Sequence, residues 1–246
     1  MAKTMIVTSA TSGIGKAIAK KLLKESTDKN DKLIINYFDK NQMEEMSNEL
    51  SDTDKEKVTF IYADMSTYEG MEGFVNDVLK VSDKIDWLVC NAAICTYKKF
   101  EEYDYELWDT ILRTNLSVPT FMVQKFKPHF NNGGKIIFMG SLCGKLSYSS
   151  SLVYSVSKAG VHHLAKCLLK EFDGQNVSIN AMHHHLLKHL GRRVVHRKAT
   201  TESTERLTFT VLHNLMKLQN LYMTQWPMTL STVHYLKLVV VTNISN

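Results

Sequence analysis

Tyr154 and Lys158 stand four residues apart in Tyr154-Ser155-Val156-Ser157-Lys158, and Ser141 precedes the tyrosine by thirteen positions. On a helix, a four-residue spacing puts two side chains on one face, within reach of each other. A phenol titrates near about 10, and a neighbouring ammonium favours its ionised form, so the pair has the chemistry of a proton donor and acceptor near neutral pH. Taken alone, the same spacing also fits an amphipathic helix with one core tyrosine and one solvated lysine. A second stretch with chemical potential is Ser9-Ala10-Thr11-Ser12-Gly13-Ile14-Gly15, between the apolar run Thr4 to Thr8 and the amphipathic run Lys16 to Lys24. A strand, a turn of small residues and a helix aim free N–H groups and the positive end of a dipole at an anion. Gly13 and Gly15 would let backbone and ligand approach closely. Such a turn also serves as a plain strand-to-helix connection.

The elements that must position these residues follow from periodicity. Short β-branched apolar runs predict strands at Thr4 to Thr8, Lys32 to Phe38, Lys57 to Ala63, Ile85 to Cys90, Lys135 to Met139 and Val177 to Met182. Helical patterns lie between them: one through Met43, Met46 and Leu50, one through Met71, Phe74, Val78 and Leu79, a long one from about Tyr105 to Phe130 with a bend expected near Pro119, and one from about Val153 to Phe172. Asn132-Gly133-Gly134 reads as a turn. Strands alternating with helices predict an α/β fold, a Rossmann-like doubly wound parallel sheet in a single domain. Ligands of such sheets bind at the carboxyl ends of the strands, where Ser9 to Gly15, Asp64 and Asn91 would gather.

Together these residues resemble the short-chain dehydrogenase/reductase family. Its cofactor turn T-G-x-x-x-G-x-G matches Thr8 to Gly15, with Ser9 in place of the first glycine. Its adenine-contacting Asp matches Asp64, followed by Met65, and its N-N-A-G motif is approximated by Cys90-Asn91-Ala92-Ala93. Its catalytic Asn, Ser, Tyr and Lys match Asn115, Ser141, Tyr154 and Lys158. The resemblance implies hydride transfer between a nicotinamide and a carbonyl or secondary alcohol, with the cofactor doing the hard step. It implies Tyr154 as general acid or base, Ser141 as hydrogen-bond donor to the reacting oxygen, Lys158 depressing the tyrosine pKa and binding the nicotinamide ribose, and Asn115 holding a water in a proton relay. Helix-interior satisfaction of backbone groups is the plain alternative for Asn115. Expected cofactor contacts are Ser9, Thr11, Ser12, Gly13, Ile14, Gly15, Tyr37, Asp64, Met65, Asn91, Ala92, Tyr154 and Lys158. Tyr37 stands where an Asp would accept the 2′-hydroxyl of NAD, and Lys40 could serve a 2′-phosphate despite nearby Asp39, so NADP(H) is favoured over NAD(H). Within the family the chain resembles the 3-oxoacyl-[acyl-carrier-protein] reductases and their sugar- and steroid-oxidising relatives, and the Asn36-Tyr37 ending of the second strand leans towards the former. That implies a small carbonyl or alcohol substrate, acyl-carrier-protein-linked in that case, and a homo-dimer or homo-tetramer.

Composition bounds the alternatives. The 246 residues carry a net charge of +5. Residues 1–182 hold 22 Lys and Arg against 23 Asp and Glu, whereas 183–246 hold 8 against 2. No basic stripe with interleaved aromatics marks the first part, which argues against a nucleic-acid partner. No apolar run approaches the ~20 residues of a membrane helix. The N-terminus lacks a signal-peptide pattern, so a cytoplasmic setting is expected, with Cys90, Cys95, Cys143 and Cys167 as reduced thiols.

The family pattern stops after Met182. A Pro-Gly pair, a Thr that meets the nicotinamide carboxamide and a terminal glycine pair are all expected; the chain reads His183-His184-His185-Leu186-Leu187 instead. Residues 183–246 contain no Asp, one glycine and seven of the ten histidines. A core of 1–182 with an atypical segment of 183–246 is the expected organisation. For that segment a metal site at His185 and His189 (disfavoured for want of a nearby carboxylate), a divergent fold with a helix at Thr204 to Leu218 and a strand at Leu236 to Val241, and a tail of foreign origin that packs poorly all compete. A catalytically silent dinucleotide-binding or interaction protein is the rival to the enzyme.

Overall fold

The computed structural model describes residues 2–146 and 151–184. The readings that concern His185, His189, Thr204 to Leu218 and Leu236 to Val241 lie outside them. Six parallel strands form one sheet in the order β3-β2-β1-β4-β5-β6. They are β1 (Thr4–Val7), β2 (Lys32–Tyr37), β3 (Val58–Tyr62), β4 (Ile85–Cys90), β5 (Phe130–Ser141) and β6 (Ser178–His184). The order reverses between β1 and β4, and the crevice at that point is where α/β sheets of this type bind ligands.

The strands read as continuous apolar runs because both faces are covered. Alternate residues go to opposite layers: Ile6, Ile34, Leu88, Ile136 and Ile179 to one, Val7, Ile35, Val89 and Ile137 to the other. The first set forms a single row across β2, β1, β4, β5 and β6, since Ile34 is in register with Ile6, Ile6 with Leu88, Leu88 with Ile136 and Ile136 with Ile179. A one-residue slip of any strand would turn its share of that row to the wrong face. The first layer is completed by α4 (Tyr68–Val81), α6 (Val118–Phe126) and α7 (Leu152–Glu171), through Phe74, Met122, Phe126, Val161 and Ala165. The second is completed by α1 (Gly13–Glu25) and α2 (Lys40–Glu49), through Ile18, Leu22 and Met46. Phe74 is fully buried, so truncating it to alanine would cost about 3–5 kcal/mol.

Several expectations are corrected. Helix α1 starts at Gly13, so Gly13 to Gly15 form its first turn instead of preceding it. A short helix α3 (Asp52–Lys55), capped by Ser51 and not anticipated from the pattern, precedes β3. Asn132, Gly133 and Gly134 lie within β5, where Gly133 takes a φ of +83° and donates its N–H to the Asn176 carbonyl. The β4–β5 register shifts between Ile85 and Trp87 to absorb the irregularity. The long helix is two: α5 (Tyr105–Leu112) and α6, joined by a π-turn at Arg113–Ser117. Pro119 lies in the first turn of α6, and the disruption comes just before it. Proline has no N–H to return to the carbonyl four residues back, that of Asn115, and Val118 reaches back to Arg113 instead. Strand β6 runs two residues past its expected end and pairs His183 with Gly140 and His184 with Ser141. No described helix is long and apolar enough to cross a membrane.

Candidate active site

The turn after β1 is held from three sides. The Ser9 amide donates to Asn36 Oδ1 at 3.0 Å, and the Ala10 amide to the Asn36 carbonyl at 3.2 Å. Asn91 Nδ2 donates to the carbonyls of Thr8 and Ser9, each at 3.0 Å. Thr8 Oγ1 in turn accepts the amides of Asn91 and Ala92 at 2.9 and 3.0 Å. The turn is tight enough to put Ser9 at a φ of +51°, left-handed backbone that a side chain resists. Gly15 is required by crowding: a Cβ there would collide with the Ser9 carbonyl oxygen, Asn91 Nδ2 and the Ala10 Cα.

These residues fit a bound pyrophosphate. Ser12, the N-cap of α1, makes no side-chain cap bond, and no acidic residue lies in the first turn, so the amide end of the helix faces outward without an internal anion. Gly13 has φ +54° with open space beside it. Thr11 is buried, Ser12 is exposed and Ile14 is half-buried at the same end. At the carboxyl end of β2, Tyr37 is in edge contact with Phe60 and Tyr62. Asp64 accepts the Ser66 amide at 2.8 Å, Arg113 donates to the Ser66 carbonyl at 2.7 Å, and Met65 between them is buried.

Ser141, Tyr154 and Lys158 come together at the carboxyl end of β5 beneath α7. All three are buried. Ser141 Oγ accepts the Cys143 amide at 3.2 Å, and the Ser141 hydroxyl lies close enough to the Tyr154 phenol to favour its ionised form. Lys158 Nζ donates to the Met139 carbonyl at 2.6 Å and lies 5.5 Å over the Tyr154 ring. Burial holds the lysine down to about 8. Burial, aided by nearby Cys95, also pushes the Tyr154 phenol well above its ordinary value, against the opposing pull of the Ser141 hydroxyl. The expectation that Lys158 depresses the phenol is therefore not met: desolvation prevails, and the amine faces the ring and a carbonyl.

Asn115 joins this group indirectly. Its Oδ1 accepts the Ile94 amide at 2.8 Å, and its Nδ2 donates to the Ile94 carbonyl at 2.9 Å and to Ser157 Oγ at 3.0 Å. Ser157 passes the link on by donating to the Tyr154 carbonyl at 2.7 Å. The side chain is thus engaged with backbone, while the carbonyl of Asn115 is the one that Pro119 cannot reach with an amide. Asn36 and Ser157 are absent from the expected site residues, and Thr8 enters only as the start of the cofactor turn, although all three tie the site together. Their signal was a polar residue inside an otherwise apolar strand or helix face, as in Lys32-Leu33-Ile34-Ile35-Asn36. Among the described residues no cluster of three or more His, Cys, Asp or Glu is arranged for a metal ion.

Comparison with known proteins gives the family. Residues 3–188 match the short chain dehydrogenase family. The short-chain dehydrogenase/reductase FrzI of a Cladobotryum species is 27% identical over 181 residues, covering 73% of this chain and 69% of that protein. The acetoacetyl-CoA reductase of an Acinetobacter strain is 26% identical over 185 residues, covering 73% and 72%. A metagenomic short-chain oxidoreductase solved in complex with NADP superposes with a TM-score of 0.72 at 21% identity, over 87% of this chain and 90% of that one. The chain belongs to the short-chain dehydrogenase family, and it is an NAD(P)-dependent oxidoreductase of that family.

Proposed function

We propose that this protein reduces a ketone to a secondary alcohol with NADP(H), and that its substrate is of the 3-oxoacyl thioester type. The observation that carries the reading is the buried group of Ser141, Tyr154 and Lys158, with Lys158 5.5 Å over the Tyr154 ring and one helical turn further along α7. The nicotinamide, when bound, supplies or accepts the hydride. Tyr154 holds the proton for the developing alkoxide; its raised pKa keeps the phenol protonated, which suits reduction over oxidation. Ser141 donates to the same oxygen, where charge develops in a site from which water is largely excluded. Lys158 is placed to bind the ribose while steadying the strand end through Met139.

Preference for NADP(H) is supported by the end of β2. Tyr37 brings no carboxylate to a 2′-hydroxyl, and the Asp39 carboxylate is occupied in capping α2, accepting the amides of Asn41 and Gln42. Lys40 is exposed, holds a loose ion pair with Glu44 at 3.6 Å, and can turn towards a phosphate. The thioester reading is supported by the acetoacetyl-CoA reductase among the relatives and by the Asn36-Tyr37 ending of β2.

The deciding experiment is oxidation of NADPH and of NADH against simple ketones, acetoacetyl-CoA and acyl-carrier-protein-linked 3-oxoacyl thioesters. Thioester reduction that falls at least 100-fold in Tyr154→Phe, with dinucleotide binding kept, is the expected result. Binding without turnover, unchanged by that substitution, would leave a silent dinucleotide-binding protein.

A further inference from the structure

Lys158 and His162 occupy successive turns of α7 and grip two main-chain groups of β5. Lys158 donates to the Met139 carbonyl at 2.6 Å, and the Ser141 amide donates to Nε2 of His162 at 3.3 Å. Met139 and Ser141 are two apart on a strand, so that carbonyl and that N–H point to the same edge. On one edge β6 pairs through Ser141, while β4 has stopped pairing at Phe138 on the other. The helix thus supplies the partners that β4 no longer does. The imidazole is buried and fits so closely that a Cβ on Gly140 would collide with its Nε2 and Cδ2. An amide can only donate, so Nε2 must present its lone pair, and a neutral ring then carries its proton on Nδ1.

We propose that His162 is a positioning residue: through the Ser141 amide it sets the height and direction of the Ser141 hydroxyl beneath Tyr154. This rests on the reading of Ser141 as donor to the reacting oxygen. The geometry is specific to the ring's far nitrogen. Glutamine can place an amide oxygen about where Nε2 lies, whereas leucine fills similar space and offers no acceptor. A displacement of the serine by a fraction of an ångström weakens a hydrogen bond needed mainly as charge develops, so the loss belongs in kcat more than in cofactor binding.

The test combines kinetics with a measurement that does not depend on turnover. In the full-length wild-type protein, NMR should resolve a scalar coupling between the Ser141 amide nitrogen and His162 Nε2; its absence, with both signals assigned, would overturn the contact. His162→Leu should lower kcat roughly 10- to 100-fold with the NADPH Kd changed less than about twofold, and His162→Gln should recover most of the loss. Equal losses in the two variants, or none in either, would overturn the positioning role. Tyr154→Phe run in parallel separates the failures. If that substitution leaves turnover unchanged, the active-site reading falls, whereas an observed coupling with intact His162→Leu kinetics removes only the positioning role.

Discussion

The amide of Ser9 donates to Asn36 Oδ1 at 3.0 Å while Ser9 itself holds a φ of +51°. A side chain in left-handed backbone costs about 1–2 kcal/mol, and the relation shows what offsets it: a buried asparagine that also donates to the Ala63 carbonyl at 3.0 Å. Ser9→Gly should therefore raise stability by about 1 kcal/mol, partly countered by glycine's greater freedom when unfolded. Denaturant midpoints of the two proteins check this. Asn36→Ala should do the reverse and weaken NADPH binding about tenfold or more, because the turn loses its anchor.

Asn115 ties α7 to the strand end after β4 through Ile94. Asn115→Ala would strip partners from the amide and the carbonyl of Ile94 and from Ser157. A loss of about 2–4 kcal/mol in unfolding free energy is expected, measured by urea denaturation. A variant that lost turnover at unchanged stability would instead assign the side chain itself to the proton relay.

At Tyr37, an introduced carboxylate could accept a ribose 2′-hydroxyl and would repel a 2′-phosphate. Tyr37→Asp should shift the ratio of kcat/KM for NADPH over NADH towards NADH by about tenfold or more. Steady-state rates with both dinucleotides decide it; an unchanged ratio would mean that β2 does not meet the adenosine ribose.

Burial lowers Lys158 to about 8, against about 10.4 for an unfolded lysine. Between those values the unfolded chain binds more protons than the folded one, so this residue adds stability as pH rises from about 8 to about 10.4. Below about 8 both states are protonated and the burial penalty is felt in full. Urea midpoints of wild type and Lys158→Met should converge as pH rises through that window. In turnover, the alkaline limb near about 8 should follow Lys158, since the Tyr154 phenol is held higher.

The sheet was legible because its strands are buried on both faces: Met5-Ile6-Val7 and Trp87-Leu88-Val89 need no tertiary information to be read as interior strands. That Ser141, Tyr154 and Lys158 gather at one place could be read from their types and spacing, since the four-residue step puts the last two on one helix face. What escaped depends on contacts distant in the chain. The glycines at 133 and 134 look like a turn, but the Asn176 carbonyl recruits Gly133 into β5. The π-turn depends on which carbonyl the amide of Val118 can reach, and the phenol's raised pKa on its burial, with lesser help from Cys95 and Cys143, neither of which periodicity encodes.

The pairing of His184 with Ser141 bears on how such a chain can depart from its relatives. A parallel ladder is built from main-chain groups, so it accepts almost any residue that keeps its N–H. The family pattern calls for a Pro-Gly pair beyond Ala181, and a proline at 184 would have no N–H to offer. With histidines at 183 and 184, β6 is free to run its full length beside Gly140 and Ser141. The carboxyl end of β5, where Ser141 lies, is thus supported by main-chain pairing that does not depend on which side chains stand at 183 and 184. Because the ladder is indifferent to side-chain identity, the letters at 183 and 184 can change while the scaffold under Ser141 keeps its shape.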